Sequence, residues 1–83
     1  AAGDCLWAQR LGLAVHDLAV IEGRLLAGTE DGLLHALDAQ GRRLWSRQAG
    51  AAVLKLSALR VGGRPAVVAG LADGRVVAAG LEP

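Results

Sequence analysis

The chain has no methionine, phenylalanine or tyrosine, only two tryptophans and a single cysteine, Cys5, among its 83 residues. One cysteine excludes an internal disulfide and an all-cysteine zinc site. No uncharged stretch approaches the roughly 18 residues of a membrane-spanning helix, and no signal-peptide pattern is present, so we expect no membrane span. The absence of methionine predicts a processed chain or a segment of a longer protein.

Neither sign of charge predominates: nine basic and eight acidic residues are interspersed and leave a net charge of +1. Arg42 and Arg43 form the only adjacent basic pair, which excludes the basic patch of a nucleic-acid-binding protein. No serine lies in a Gly-x-Ser-x-Gly motif, and the two histidines lack the spacing of a metal site. The sequence therefore predicts no catalytic, metal or cofactor site, and we expect that the protein is not an enzyme.

Two segments of the chain repeat each other at a shifted offset. Positions 7–20 align with 45–58 at an offset of 38, and positions 24–36 align with 66–78 at an offset of 42. The four extra residues fall in VGGRP at positions 61–65, which we interpret as a lengthened turn. A period of about 40 residues is typical of repeat architectures.

Hydrophobic runs and turn residues predict strands rather than helices. The twelve glycines recur at short intervals, and Asp31-Gly32 and Asp73-Gly74 predict hairpin turns of type I′. Four strands per repeat of about 40 residues indicate an all-β fold made of β-propeller blades. The eight predicted strands lie at 5–10, 14–21, 24–29, 33–38, 43–48, 52–60, 66–71 and 75–80.

The strand order, labelled a to d from the propeller axis outward, is d-abcd-abc. Residues 1–83 are therefore interpreted as one propeller segment with two four-stranded antiparallel blades, blade A at about 14–48 and blade B at about 52–80. Blade B lacks its outermost strand, which a strand like 5–10 from a neighbour would complete. We expect the ring to be closed by other copies, as a trimer or tetramer, or by the remaining blades of a longer chain.

The stretch AGTEDGLLHALDAQGRRLW resembles the blade motif of the PQQ-like (quinoprotein-type) propeller repeats. The second repeat keeps part of this motif, whereas WD-repeat propellers share the four-stranded blade but not this spacing. The resemblance implies that Trp45 and Trp7 pack between adjacent blades. The matching positions are Gly28, Thr29, Asp31, Gly32, Ala36, Asp38, Gly41 and Trp45 in the first repeat and Gly70, Asp73 and Gly74 in the second.

The resemblance implies a propeller but not its cofactor. Quinoprotein dehydrogenases hold the quinone with calcium ligands, a catalytic aspartate and often a vicinal disulfide, and two blades with one cysteine do not assemble that set. We therefore expect no cofactor and a scaffold or protein-interaction module. Two alternatives stay open: an oligomeric propeller lectin that binds carbohydrate, and a fragment of a PQQ-type quinoprotein enzyme.

A few polar residues outside the motif occupy informative positions. Asp17 and Lys55 align on successive innermost strands, either as solvated residues of the central channel or as a ring of alternating charges. His16 and His35 align with apolar residues and are predicted to be hydrogen-bonded core histidines. Cys5 is interpreted as a small hydrophobic residue on an edge strand.

Overall fold

A computed structural model describes residues 5–81, which form two antiparallel sheets. Blade A is a four-stranded sheet in the order β1-β2-β3-β4, and blade B is a three-stranded sheet in the order β5-β6-β7. The described residues include no helix that could cross a membrane. The strands are β1 (Val15–Ile21), β2 (Arg24–Thr29), β3 (Leu33–Leu37), β4 (Arg43–Gln48), β5 (Val53–Val61), β6 (Arg64–Leu71) and β7 (Val76–Gly80).

Both predicted Asp-Gly hairpins are present, but their turn type differs from the prediction. The amide of Gly32 donates to the carbonyl of Thr29 at 3.1 Å, and Gly32 has φ +84°. This geometry is a turn of type I followed by a glycine in the left-handed region. Gly74 closes the equivalent turn in blade B in the same way, with φ +89°. Type I′ turns occur instead in the β1–β2 and β5–β6 hairpins, where both central residues have positive φ.

The four extra residues of the second repeat lengthen strands rather than a turn. The strands β1 and β2 have seven and six residues, whereas β5 and β6 have nine and eight. Both hairpins keep a two-residue turn, Glu22-Gly23 in blade A and Gly62-Gly63 in blade B. The lengthened-turn prediction for VGGRP is therefore wrong, because the insertion adds two residues to each strand and so two antiparallel pairs to the ladder.

The hydrophobic core lies between the two blades. Strands β1 and β2 of blade A pack against β5 of blade B, so the inner strands form the contact. Leu26, Val53 and Val67 are completely buried. The core cluster comprises Ile21, Leu26, Leu34, Ala36, Val53, Leu56, Val67, Ala69, Leu71 and Leu81. Each blade thus covers one of its faces with the other blade. The opposite face of blade A is covered only in part: Ala27, Thr29, His35 and Leu37 are buried there, whereas side chains of β1 are exposed.

Residues 5–10 have no strand hydrogen bonding in the single chain, so seven of the eight predicted strands are observed. A strand is defined by its partner, and no described strand pairs with this segment. It is nevertheless positioned on blade A: the Trp7 indole N–H donates to the carbonyl of Ala39 at 3.0 Å, and the Gln9 side-chain amide donates to the carbonyl of Gly41 at 3.2 Å.

Candidate functional site: the blade interface and the two open faces

The two blades approach each other closely at Gly28 on β2. A Cβ atom placed on Gly28 would lie 2.2 Å from Cγ1 and 2.8 Å from Cβ of Val53, which belongs to β5 of blade B. The φ angle of Gly28 is not in the left-handed region, so the contact and not the backbone requires glycine. Gly28 therefore forms a notch that receives the side chain of Val53.

A carboxylate from blade A completes the backbone hydrogen bonding of blade B. One oxygen of Asp17 on β1 accepts from the amide of Leu56 on β5 at 2.7 Å, and the other accepts from the amide of Leu18 at 2.9 Å. These two amides, with a smaller contribution from the positive charge of Lys55, hold the pKa of Asp17 below its usual range. Asp17 and Lys55 thus lie on neighbouring inner strands, and Asp17 joins the blades.

Each tryptophan donates a hydrogen bond to the blade that follows it, and the two contacts are at repeat-equivalent positions. The Trp45 indole N–H, on β4, donates to the carbonyl of Leu81 at the end of blade B, at 3.3 Å. Trp7 donates to Ala39, which aligns with Leu81 at the offset of 42. The ring of Trp7 covers Gly41, where a Cβ atom would lie 2.4 Å from it. Trp7 therefore contacts blade A as Trp45 contacts blade B.

The aspartates of the blade motif stabilise turns. The hydroxyl of Thr29, which is completely buried, donates to Asp31. Asp38 accepts from the amides of Gln40 and Arg42, and the Arg42 amide contributes most to a lowered pKa of Asp38. Asp73 pairs with Arg75, whose side chain lowers the pKa of Asp73. These carboxylates are occupied within their own hairpins.

Each blade has one face that does not contact the other blade, and each of these faces exposes apolar side chains. On blade A the exposed part is β1, because the residues of β2 and β3 on that face are buried. We call the side of blade A turned away from blade B the leading face, and the side of blade B turned away from blade A the trailing face. Large apolar side chains are exposed on both, and Gly70 on the trailing face has no atom within 4 Å of a Cβ position. The leading face includes Val15, Leu18 and Val20; the trailing face includes Lys55, Leu59, Val68, Gly70 and Val76.

The two histidines have different environments, and only one matches the prediction. His35 on β3 is buried, and its Nδ1 lies 3.0 Å from Oγ of Ser46, as expected for a core histidine. His16 is wrongly predicted as core: its side chain is 33% exposed and contacts Glu30. A bulge between Val15 and Asp17 removes His16 from the regular alternation of β1. The second repeat has the same bulge at Leu54, which is also exposed.

We expect the stability of the fold to fall between pH 7.5 and 5.5 through His35. Burial lowers the pKa of His35 from its usual 6.5, with a further contribution from the positive charge of Arg43 that outweighs the opposing effect of Asp31. Below pH 6.5 the unfolded chain binds a proton that the folded chain excludes, so acid favours unfolding. Urea unfolding at the two pH values measures the effect.

His35→Val is the matched control, because the equivalent residue of the second repeat is Val77. The variant is expected to lose most of the pH dependence in this window. The aspartates with lowered pKa values titrate at more acidic pH and do not contribute there. An unchanged pH dependence in His35→Val would contradict the prediction.

No group of three or more potential metal ligands occurs among residues 5–81. A cleft of about 650 Å³ lies beside the segment that precedes β1, and Gln9 and Arg10 are the polar side chains in its lining. These two residues form no pair of acid and base. The exposed Cys5 has an Sγ atom 3.5 Å from the carbonyl of Trp7.

The two repeated blades and the equivalent contacts of Trp7 and Trp45 agree with the comparison with known families. A PQQ-repeat family model, described as outer membrane protein assembly factor BamB, matches residues 1–82. The chain belongs to this family. No curated protein matches the chain. The match confirms the predicted PQQ-like repeat.

Among solved structures, the chain is similar to the crystal structure of the computationally designed Ika4 protein. The two are 24% identical, with a TM-score of 0.69 over 83% of this chain and 42% of that chain. The chain thus spans less than half the length of that protein, and the likeness concerns the fold. With the two open sheets, it confirms the predicted all-β fold of propeller blades.

Apart from Trp45, which the family resemblance placed between blades, the sequence did not identify the residues that join the blades. Val53 and Leu81 contribute to the interface, yet neither belongs to the recognised motif. A signal was present for the first of them, because the alignment places Val15 opposite Val53 and Gly28 opposite Gly70. A valine and a glycine that recur together in each repeat indicate a knob and a notch, although the pattern does not say which glycine receives which valine.

Proposed function

We propose that the chain is a non-catalytic propeller scaffold that binds other proteins, and that its copies join head to tail into a closed ring. The two open faces carry this proposal. Each face is the repeat-equivalent of a face that is buried where blade A meets blade B. Exposed apolar patches of this kind mark interaction surfaces, and an unpaired sheet edge accepts a further strand.

The position of residues 5–10 supports an exchange of strands between copies. Trp45 extends from the outermost strand of blade A to blade B, and Trp7 makes the equivalent contact to blade A from a segment without a blade. This equivalence supports a role for that segment as the outermost strand of a preceding blade. Strand β7 is the edge of blade B, so β7 of a preceding copy is available to pair with residues 5–10.

Symmetry limits the number of copies. A head-to-tail contact is heterologous and closes only when the rotation per copy divides a full turn. Propellers typically contain about four to eight blades. With two blades per copy, three copies give six blades and four copies give eight.

The polar groups of the blade motif support a binding role rather than a catalytic one. The carboxylates of Asp38 and Asp73 are held in their hairpins, and both indole N–H groups donate to backbone carbonyls. The tryptophans are thus engaged in blade contacts rather than in a sugar pocket. The description of the matching family as an assembly factor is consistent with a protein-binding scaffold.

Light scattering after size exclusion, at two protein concentrations, tests the assembly. We expect one discrete species at three or four times the 8.5 kDa of the chain. A folded species of 8.5 kDa at both concentrations would refute the closed ring. Heterogeneous aggregates would instead indicate that the missing blades belong to a longer chain, which also contradicts closure by copies.

A further inference from the structure

The contact between blade A and blade B gives a template for a contact that the single chain does not make. At that contact a glycine of one blade receives a valine of the next, Gly28 and Val53. The repeat places Gly70 at the position of Gly28 and Val15 at the position of Val53. Both equivalents lie on the open faces, the glycine on the trailing face and the valine on the leading face.

Gly70 is a glycine that its own chain does not require. Its backbone is outside the left-handed region, and a Cβ atom on it would meet no atom within 4 Å. A glycine inside a strand weakens the strand and often marks a close approach of another backbone or ligand. The requirement at Gly28 comes from Val53, and the equivalent at Gly70 would come from a valine outside the chain.

The exposed apolar side chains on the open faces match those that are buried at the template. Val15 is 46% exposed and Val53 is completely buried, whereas Leu18 is 53% exposed and its equivalent Leu56 is 8% exposed. On the other face, Val76 is 72% exposed and its equivalent Leu34 is 3% exposed. Docking one open face on the other would bury all three exposed residues in the environments of their equivalents.

The charges on the innermost strands fit the same arrangement. At the template, the Leu56 amide depends on Asp17 of the preceding blade. At a junction between copies, the preceding blade carries Lys55, which offers no acceptor. The equivalent amide of Leu18 needs none, because Asp17 of its own strand already accepts from it. The Lys55 ammonium group would then lie beside that carboxylate, with opposite charges alternating along the inner strands.

We propose that a second copy of this chain docks its leading face on the trailing face, with its Val15 in the notch at Gly70 and its Asp17 beside Lys55. The inference rests on the proposed head-to-tail assembly and specifies the surface that makes it. The template predicts a tight apolar contact at the notch and a polar contact at the channel side.

Two variants that block opposite faces test the docking. Gly70→Leu fills the notch and keeps the chain's own contacts, because the site is open in the single chain. Leu18→Asp places a charge on the leading face, and Val15→Asp serves as a second variant of that face. Ala72→Leu adds a comparable side chain to the neighbouring exposed turn as the matched control. Circular dichroism and cooperative urea unfolding verify that each variant is folded.

We expect the wild type and Ala72→Leu to assemble, and Gly70→Leu and Leu18→Asp each to be a single copy. Loss of a central contact of this kind raises the concentration for half-assembly by about 30-fold or more. Mixed in equal amounts, the two blocked variants are expected to form a complex of two chains, because each retains one intact face. Light scattering measures the wild type, the four variants and the mixture.

Several outcomes would overturn the inference. If Gly70→Leu assembles at the same concentration as the wild type, the notch is not part of the interface. The ring proposal would still stand in that case. Two single-copy variants that fail to combine would show that the faces are not complementary. A Gly70→Leu chain that does not fold would contradict the open site. A wild type that stays a single copy would refute both the ring and the docking.

Discussion

Replacing Leu34 by alanine is expected to lower the free energy of unfolding by about 2–5 kcal/mol, the usual cost of truncating a buried leucine. Leu34 is 3% exposed and belongs to the core cluster between the blades. A small domain with a net stability of about 5–15 kcal/mol loses much of its stability with this change. Urea unfolding followed by tryptophan fluorescence measures the loss.

Val76→Ala is the matched control, since Val76 is the repeat-equivalent of Leu34 and is 72% exposed. Both truncations are compared in the Leu18→Asp variant, in which we expect the chain to be a single copy. Under that condition Val76→Ala is expected to change stability by no more than about 0.5 kcal/mol. Equal losses at the two positions would show that blade B does not expose this face.

The architecture was predictable because the repeat distinguished strands from helices, which the local hydrophobic pattern alone did not. The β1 segment also fits a helical stripe, and its alignment with a second copy beside clear hairpins favoured a strand. Turn geometry was less predictable. Asp-Gly predicts a hairpin, but the turn type depends on how many residues the ladder leaves unpaired. Here the first hydrogen bond of the turn is accepted by the carbonyl of Thr29, so the glycine occupies the fourth position.

The four extra residues of the second repeat were also mispredicted from their local composition. VGGRP contains residues typical of a loop, and the sequence alone predicts a longer turn. Gly62-Gly63 adopts positive φ at both positions, which fits a two-residue hairpin. The flanking residues then pair, with Val61 opposite Arg64. Register is a property of two strands together, and composition within one segment does not determine it.

His16 failed as a prediction for a comparable reason. The alignment correctly placed it opposite Leu54, but the burial of Leu54 was assumed from its apolar character. A bulge occurs in both repeats at this position and turns both side chains toward solvent. His35 lies in β3, where the four consecutive residues from Leu34 to Leu37 are buried, so both faces of this strand are covered. The burial of a histidine therefore depended on the position of its strand in the sheet and on the bulge, neither of which the alignment reveals.

The candidate interface was visible in the sequence only as paired recurrences. Glycine and valine recur at equivalent places, but the contact joins residues from different repeats, Gly28 and Val53. A single sequence indicates that a glycine is present, and it does not indicate which side chain approaches it. The distances between the blades supply that assignment, and they separate Gly28, which is filled, from Gly70, which is open.

Gly28→Val is expected to destabilise the two-blade unit by about 1–3 kcal/mol or more, in the range of an overpacked core. The new Cβ would lie 2.8 Å from the Cβ of Val53, and no rotamer change moves either atom. The blades must therefore separate, which exposes the core between them. Unfolding in urea, with the Leu18→Asp variant as the background, gives the magnitude.

Gly70→Val provides the matched comparison in the same background, because it adds the same side chain at the equivalent position with open space around it. We expect no loss of stability there, since valine favours strands more than glycine does. A double-mutant cycle with Val53→Gly identifies the contact: the combined loss should be smaller than the sum of the single losses. Additive losses would mean that Gly28 is required for a reason other than Val53, and the template for docking between copies would lose its physical basis.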